Sequence, residues 1–386
     1  NTLITTDHSI VTLAITTGPT GGTIVGNATA QAVNGIATFA NLSFNTAGTS
    51  YILTASDSTL AKAATSSFKV LPDTSSAHLH FVSAPASILP GVKIPTSIVL
   101  DVVDKFNNII TTDSSTVLLT KVSGAGTVTG TLSVKAVKGI VSFANVKFSE
   151  ADTYQLLATD AKFSKPSTVT NNTTSFAITV SPAVTVIKAP KVSSSYAINK
   201  AVSFSDTITS LVKIPGAFTG QVHVVQVVGT NNTEIASATI SSTGAVKFTN
   251  IVDTSTAGTQ ALRIVYDGDA NHTGGQSPIF NVVVAPASSL TILHASSTAI
   301  TTADTLHLSA TVNSATASIL LARTGSVVIK DNGLPVAGGT LSLTSNAATL
   351  DLSALTAGTH KFTATYLGDD NFKTSTSSLL TVKVTV

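Results

Sequence analysis

His78 and His80 alternate along a run of strand-forming residues, so on an extended backbone their imidazoles share one face. With a third ligand, such a pair could hold a transition metal. Asp267-Gly268-Asp269-Ala270-Asn271 and Gly368-Asp369-Asp370-Asn371 gather oxygen ligands in short loops, the donor set that calcium takes. Each has a plainer reading. The two histidines open a strand at a sheet edge and face solvent, while Asp, Asn and Gly are turn residues for backbone reasons. The chain has no nucleophile elbow, phosphate-binding loop, His-Glu-x-x-His or dinucleotide fingerprint. With 0 Cys, thiolate catalysis, disulfides and Cys-ligated metals are excluded. We therefore assign no catalytic residue, no metal ligand and no cofactor, and expect no enzyme.

Other short motifs carry little. Six glycosylation sequons fall at Asn27, Asn41, Asn171, Asn172, Asn231 and Asn271, the number expected by chance in a chain this rich in Ser and Thr. Leu334-Pro335-Val336-Ala337-Gly338 is faintly like a sorting signal but lacks a hydrophobic tail, and reads as a loop beside a hairpin turn.

The elements that carry these residues are set by an unusual composition. Of 386 residues, 10% are charged and 43% hydrophobic, against a usual charged share of about a quarter. Ser and Thr number 110 and Met is absent. Without Met, Asn1 is not an initiator, so the chain is expected to be processed or part of a longer one. The apolar share argues against intrinsic disorder, and the net charge of +2 argues against nucleic-acid binding. No apolar run is long enough for a membrane-spanning helix. With low charge and high hydropathy, solubility has to come from hydroxyls, from glycans or from burial of surface in an assembly, and assembly is the favoured expectation.

Repetition organises the chain. Ala32-Val33-Asn34-Gly35-Ile36-Ala37-Thr38-Phe39-Ala40-Asn41 matches Ala136 to Asn145, and Asn1 to Asp7 matches Asn107 to Asp113. Thr256-Ala257-Gly258-Thr259 and Tyr266 to Asn271 recur 100 positions later as Thr356-Ala357-Gly358-Thr359 and Tyr366 to Asn371. Thr46-Ala47-Gly48-Thr49 and Glu150-Ala151-Asp152-Thr153 complete the series. Runs such as Ser97 to Val103, Ala261 to Tyr266 and Leu380 to Val384 are β-branched or alternating, and turn residues interrupt them regularly. Asp331-Asn332-Gly333 predicts a hairpin, and no window predicts a capped amphipathic helix. The expectation is all-β: four tandem immunoglobulin-like β-sandwich domains in an elongated rod, at 1–73, 74–182, 183–287 and 288–386. The Pro-containing linkers at 71–76, 181–183 and 285–288 limit bending between them.

Ser326 to Gly333, then Thr356-Ala357-Gly358-Thr359 and Tyr366-Leu367-Gly368-Asp369-Asp370-Asn371-Phe372, resemble the bacterial Ig-like repeats of large surface proteins. Residues 183–284 resemble them more loosely. Asp101-Val102-Val103-Asp104-Lys105-Phe106-Asn107-Asn108, with Ala144 to Phe148 and Asp152-Thr153-Tyr154, resembles a related invasin-like repeat, covering 1–180. The resemblance implies a secreted stalk, adhesin or fibre protein, without catalysis in these modules. An Ig fold commonly places a Tyr after the E–F corner with its hydroxyl bonded back to the corner. Tyr51 and Tyr154 hold that position, whereas the later repeats have Gln260 and His360 there.

The first repeat is short. Unit 2 has about 74 residues before its Ala151-Asp152 corner, while unit 1 has 46 before Ala47. Its missing part corresponds to Leu79 to Val82 and Pro95 to Asp104, strands A and B of the sandwich. About six inward side chains would be lost, each worth about 1.5–3 kcal/mol when buried. That total matches a domain's whole stability, about 5–15 kcal/mol. We expect a non-catalytic extracellular structural protein of bacterial or archaeal cell surfaces. It would be a subunit of a filament or fibre assembled head-to-tail by β-strand complementation. A monomeric adhesin stalk or an accessory binding region of a secreted enzyme are the alternatives. Expected partners are copies of itself, adjoining repeats of the same polypeptide or a cell-surface ligand, with no nucleic acid and no membrane insertion.

Overall fold

The computed structural model describes residues 2–163, 173–317 and 319–386. Asn1 and the sequons at Asn171 and Asn172 lie outside them. The described fold is all-β, its only helical elements being the 3-10 turns Thr74–Ser76 and Ala161–Phe163. None of its helices is long and apolar enough to cross a membrane. It divides into two compact units, Asn1–Ala183 with Ile214–Gly216, and Val184–Lys213 with Ala217–Val386.

The first compact unit holds two related sets of strands. In the later set, Ser133–Lys135, Thr116–Ser123, Asp152–Asp160 and Thr173–Val180 form one antiparallel sheet. A second sheet runs Ile140–Phe143, Ile98–Val103, His78–Ser83. Between them lies a core in which Ile98, Leu100, Val117, Val141, Phe143, Tyr154 and Leu156 are buried. The alternation of Thr116–Ser123 produces this directly, with Val117 and Leu119 inward and Thr116 and Leu118 outward.

The earlier set repeats the first of those sheets and not the second. Thr29–Gln31, Ile10–Thr17, Gly48–Ser56 and Ala63–Ala64 are paired in that order, with Phe68–Val70 also on Gly48–Ser56. Even the bulge is repeated: the register slips between Ile15 and Thr17, as it does between Lys121 and Ser123. No described residue of 2–73 forms a counterpart of His78–Ser83 or Ile98–Val103. Ile36 to Phe39, which match the Ile140–Phe143 strand, form no strand.

The second compact unit contains two six-stranded sheets of the same plan. Tyr196–Ala197, Phe280–Ala285, Gly258–Tyr266, Gln221–Val228 and Asn231–Thr239 are neighbours in one. Ala299–Thr301, Leu380–Thr385, Gly358–Tyr366, Ser326–Asp331 and Leu334–Ser342 are neighbours in the other. In each the first-named strand pairs parallel with the second. Opposite the latter sheet stands Ser289–Ala295, Leu306–Ser314, Ala347–Leu352. The hairpin at Asp331-Asn332-Gly333 forms as its residues require, since Asn332 and Gly333 have φ of 48° and 87° and Asp331 pairs Leu334. Leu334 to Gly338, expected as a loop, belongs to the strand Leu334–Ser342. Its β-branched Val336 and the preceding tight turn carry it into the ladder despite Pro335, which sits opposite Lys330 near the hairpin end.

Candidate functional site

The corner preceding each long return strand is tied by one side chain. Tyr51 donates its hydroxyl to the Thr46 carbonyl at 2.7 Å, and Tyr154 donates to Glu150 at 2.9 Å. Both tyrosines are fully buried. In the second compact unit Gln260 takes the role, with Nε2 2.7 Å from the Asp253 carbonyl. His360 takes it with Nε2 2.9 Å from the Thr356 carbonyl, while its Nδ1 lies 2.6 Å from Asp331 Oδ2. The bonds to the Thr356 carbonyl and to Asp331 hold the His360 imidazole above its ordinary pKa, in that order of importance.

The corner amides have partners as well. The Ala47 N–H donates to Asn108 Oδ1 at 2.8 Å, and Asn108 Nδ2 donates to the Asn45 carbonyl at 3.0 Å. The Ala257 N–H donates to Asn371 Oδ1, also at 2.8 Å. Aspartates wind the loops that present these asparagines. Asp104 Oδ1 accepts from the amides of Phe106 and Asn108, and Asp104 Oδ2 from the amide of Asp73 in the linker. Burial alone would raise the Asp104 carboxyl, but the Asn108 carboxamide and three backbone amides outweigh it and hold the group below 3.8. Asp369 Oδ1 accepts from the amides of Asn371 and Phe372 at 2.8 Å each, and its Oδ2 from the Thr324 amide and hydroxyl.

Asp269 is similarly engaged. It accepts from the amides of Asn271, His272 and Thr219, and from the Tyr266 hydroxyl. That hydroxyl lies 2.8 Å from both the Thr219 carbonyl and Asp269, so Tyr266 anchors the loop and not the corner. Of the oxygens weighed for calcium, those of Asp269 and Asp369 wind their own loops, as the turn reading requires, while Asp267 Oδ2 lies 2.9 Å from His223 Nε2 and Asn371 Oδ1 is on the Ala257 amide. His78 is half-buried, with Nδ1 3.3 Å from the Ser76 carbonyl. His80 is exposed, opposite Asp101 across the strand pair at the sheet edge. Among the described residues, no three His, Cys, Asp or Glu side chains gather where they could hold a metal.

The parallel Ala299–Thr301 strand, the hairpin and the Asp369 loop all fall within the part of the chain that a family model matches. Residues 293–385 match the family model of the bacterial Ig-like domain (group 3). No curated protein matches the chain. Among solved structures, the Escherichia coli adhesin FdeC is similar at 13% identity over 82% of this chain and 99% of its own, with a TM-score of 0.25. The fibronectin(III)-like modules of Clostridium thermocellum CbhA share 18% identity over 52% of this chain and 93% of theirs, with a TM-score of 0.22. Escherichia coli alpha-2-macroglobulin shares 12% identity over 98% of this chain and 29% of its own, with a TM-score of 0.23.

Measured against the two-sheet sandwich formed by the later strand set of its own compact unit, the first strand set is open. Ala32, Tyr51 and Leu53 are its buried apolar residues among those described. Val11, Leu13 and Phe39 are half-buried, whereas their counterparts Val117, Leu119 and Phe143 are sealed. What remains of a core is an aromatic trio: Phe44 to Tyr51 at 4.9 Å, Phe44 to Phe68 at 5.6 Å and Tyr51 to Phe68 at 5.8 Å. In the complete sandwich Phe81 stacks on Phe176 at 4.6 Å. Phe68, opposite Tyr51, takes the register position of Ile178, opposite Tyr154, and no described residue of 2–73 is an equivalent of Phe81.

Proposed function

We propose that this chain is a non-catalytic structural protein of the cell exterior, built of four sandwich units with boundaries near 74, 183 and 288. In this reading it is a filament subunit whose first sandwich is completed by β-strand addition from another copy, head-to-tail. The open apolar face of the Ile10–Thr17 and Gly48–Ser56 sheet is the observation that supports it. The complete sandwich defines what fits there. Ile98–Val103 turns Ile98, Leu100 and Val102 into the core and pairs antiparallel with Ile140–Phe143, Val141 opposite Leu100. An inserted strand of the same alternation would pair with Ile36 to Phe39 and cover Val11, Leu13 and Tyr51. Three such buried side chains contribute about 4.5–9 kcal/mol, enough to hold a polymer together. The low charge and the match of residues 293–385 to a bacterial Ig-like domain fit this role.

The test adds a synthetic peptide of residues 77–104 to the full chain and follows amide exchange. Protection of Ile36 to Phe39, with a higher melting temperature of the first unit, is expected. Detergent-resistant fibres in concentrated chain alone are expected to be blocked by the same peptide. A chain that stays monomeric, with a cooperatively folded first unit unaffected by peptide, would sink the idea.

A further inference from the structure

We propose that the Ala357-Gly358 corner is a docking point for a further Ig-like unit, recognised by an aspartate-wound loop that ends in asparagine. The inference stands apart from filament assembly, because it rests on two joints internal to the chain.

Those joints share one chemistry and differ in origin. Asn108 follows the Ile98–Val103 strand, near the start of its sandwich, whereas Asn371 follows Gly358–Tyr366, near the end. The two loops are therefore unrelated by repeat position. Each nevertheless brings a carboxamide oxygen to 2.8 Å from the alanine amide of the preceding corner. The corner is the constant partner, and the asparagine comes from whichever loop faces it.

The last corner is made to the same plan. Thr356-Ala357-Gly358-Thr359 repeats Thr256 to Thr259, and Gly358 and Gly258 share an unusual φ, 150° and 153°. The corner sequence and its glycine conformation are thus repeated at Ala357. Ala257 and Ala47 are half-buried under their loops, but Ala357 is exposed, and no acceptor among the described residues meets its N–H. The connection is also specified. After Phe280–Ala285 the chain passes through Pro286 to Ala287, whose N–H donates to the Asn371 carbonyl at 2.8 Å and whose carbonyl accepts from Lys373 at 2.8 Å. Leu380–Thr385 and Val386 stand 100 positions after Phe280–Ala285 and Pro286. A unit joined directly after Val386 with the spacing of residues 287–386 would bring its own asparagine onto Ala357.

The experiment extends the full chain after Val386 by a second copy of residues 287–386 and measures exchange at Ala357 and Ala257. Exchange at Ala357 is expected to slow about tenfold or more, the scale of one made hydrogen bond, and to approach that of Ala257. Asn371→Ala in the added copy alone should restore fast exchange. Asn371→Asp, which keeps an Oδ acceptor, should retain protection and shows that the added unit is folded. Fast exchange at Ala357 in the extended chain, beside a protected Ala257, would overturn the proposal. So would protection that survives Asn371→Ala.

Discussion

His360 Nε2 lies 2.9 Å from the Thr356 carbonyl oxygen, the place that the Tyr154 hydroxyl takes against Glu150 in the first compact unit. Because His360 Nδ1 also faces Asp331 Oδ2, both ring nitrogens meet acceptors, and only the imidazolium has a proton for each. A neutral ring must give up one bond. The folded pKa is raised above 6.5. Stability from this bond pair is therefore whole below about pH 6.5 and declines as pH rises through the folded value. The last sandwich should lose about 1.5–3 kcal/mol across that window, the worth of a charge-assisted hydrogen bond. Thermal melts between pH 5 and 9, set against His360→Gln, check this: the variant should slope less than the parent, keeping the share of His223, whose pKa Asp267 and Glu234 also raise.

Tyrosine fastens the corner without that dependence. Tyr154→Phe strands the Glu150 carbonyl and the Gly126 amide, which donates to the same hydroxyl at 3.2 Å. A loss of about 1–3 kcal/mol is expected, uniform from pH 5 to 8, measured by denaturant unfolding. A smaller effect than Tyr154→Leu would separate the hydroxyl from the ring.

Gly130 tests the strand edge. It has φ of 111°, and a Cβ there would stand far inside contact distance of the Asn145 carbonyl oxygen. Neither backbone nor neighbour can yield that distance without breaking the Val128–Gly130 pairing with Val146–Phe148. Gly130→Ala should cost more than about 3 kcal/mol. Gly333→Ala, at φ 87° in open space, should cost only its backbone strain, about 1 kcal/mol. Paired melts of the two variants decide the ordering.

The first joint should open in acid. The Asp104 carboxyl sits below 3.8, so its contribution is present above that pH and is lost as pH falls through the folded value. Protonation frees the loop that holds Asn108, and exchange at Ala47 should quicken with it. Asn108→Ala should quicken it at every pH, by about tenfold. An Ala47 amide whose protection is unchanged once the Asp104 carboxyl has been protonated would contradict the coupling.

The fold could be read from sequence because its signals are local. Alternation, turn residues and repeat spacing are properties of neighbours, and Asn332-Gly333 alone fixes a hairpin. The shortness of the first repeat was also legible, as a count of residues before Ala47. The joints were not. Asn108 and Asn371 stand in loops whose Asp, Gly and Asn content already has a sufficient explanation as turns, so a second duty leaves no trace in composition. Gln260 and His360 looked like departures from the tyrosine pattern. Only the geometry shows that His360 reaches the carbonyl in the tyrosine's place, four residues back, and that Gln260 ties its corner further back, at Asp253. Leu334 to Gly338 misled because Pro335 signals a break, and the ladder tolerates it beside the turn.

In both sheets of the second compact unit an early strand runs parallel to the last one, Tyr196–Ala197 beside Phe280–Ala285 and Ala299–Thr301 beside Leu380–Thr385. Tension applied to the two ends of such a sandwich draws these neighbours in opposite directions along their length. Their hydrogen bonds are then loaded in shear, all together, and cannot be peeled one after another. Resistance to pulling is a matter of the barrier to unfolding and not of equilibrium stability. A sandwich of only modest thermal stability can therefore bear load, because the ladder that closes it also lies along the line of force.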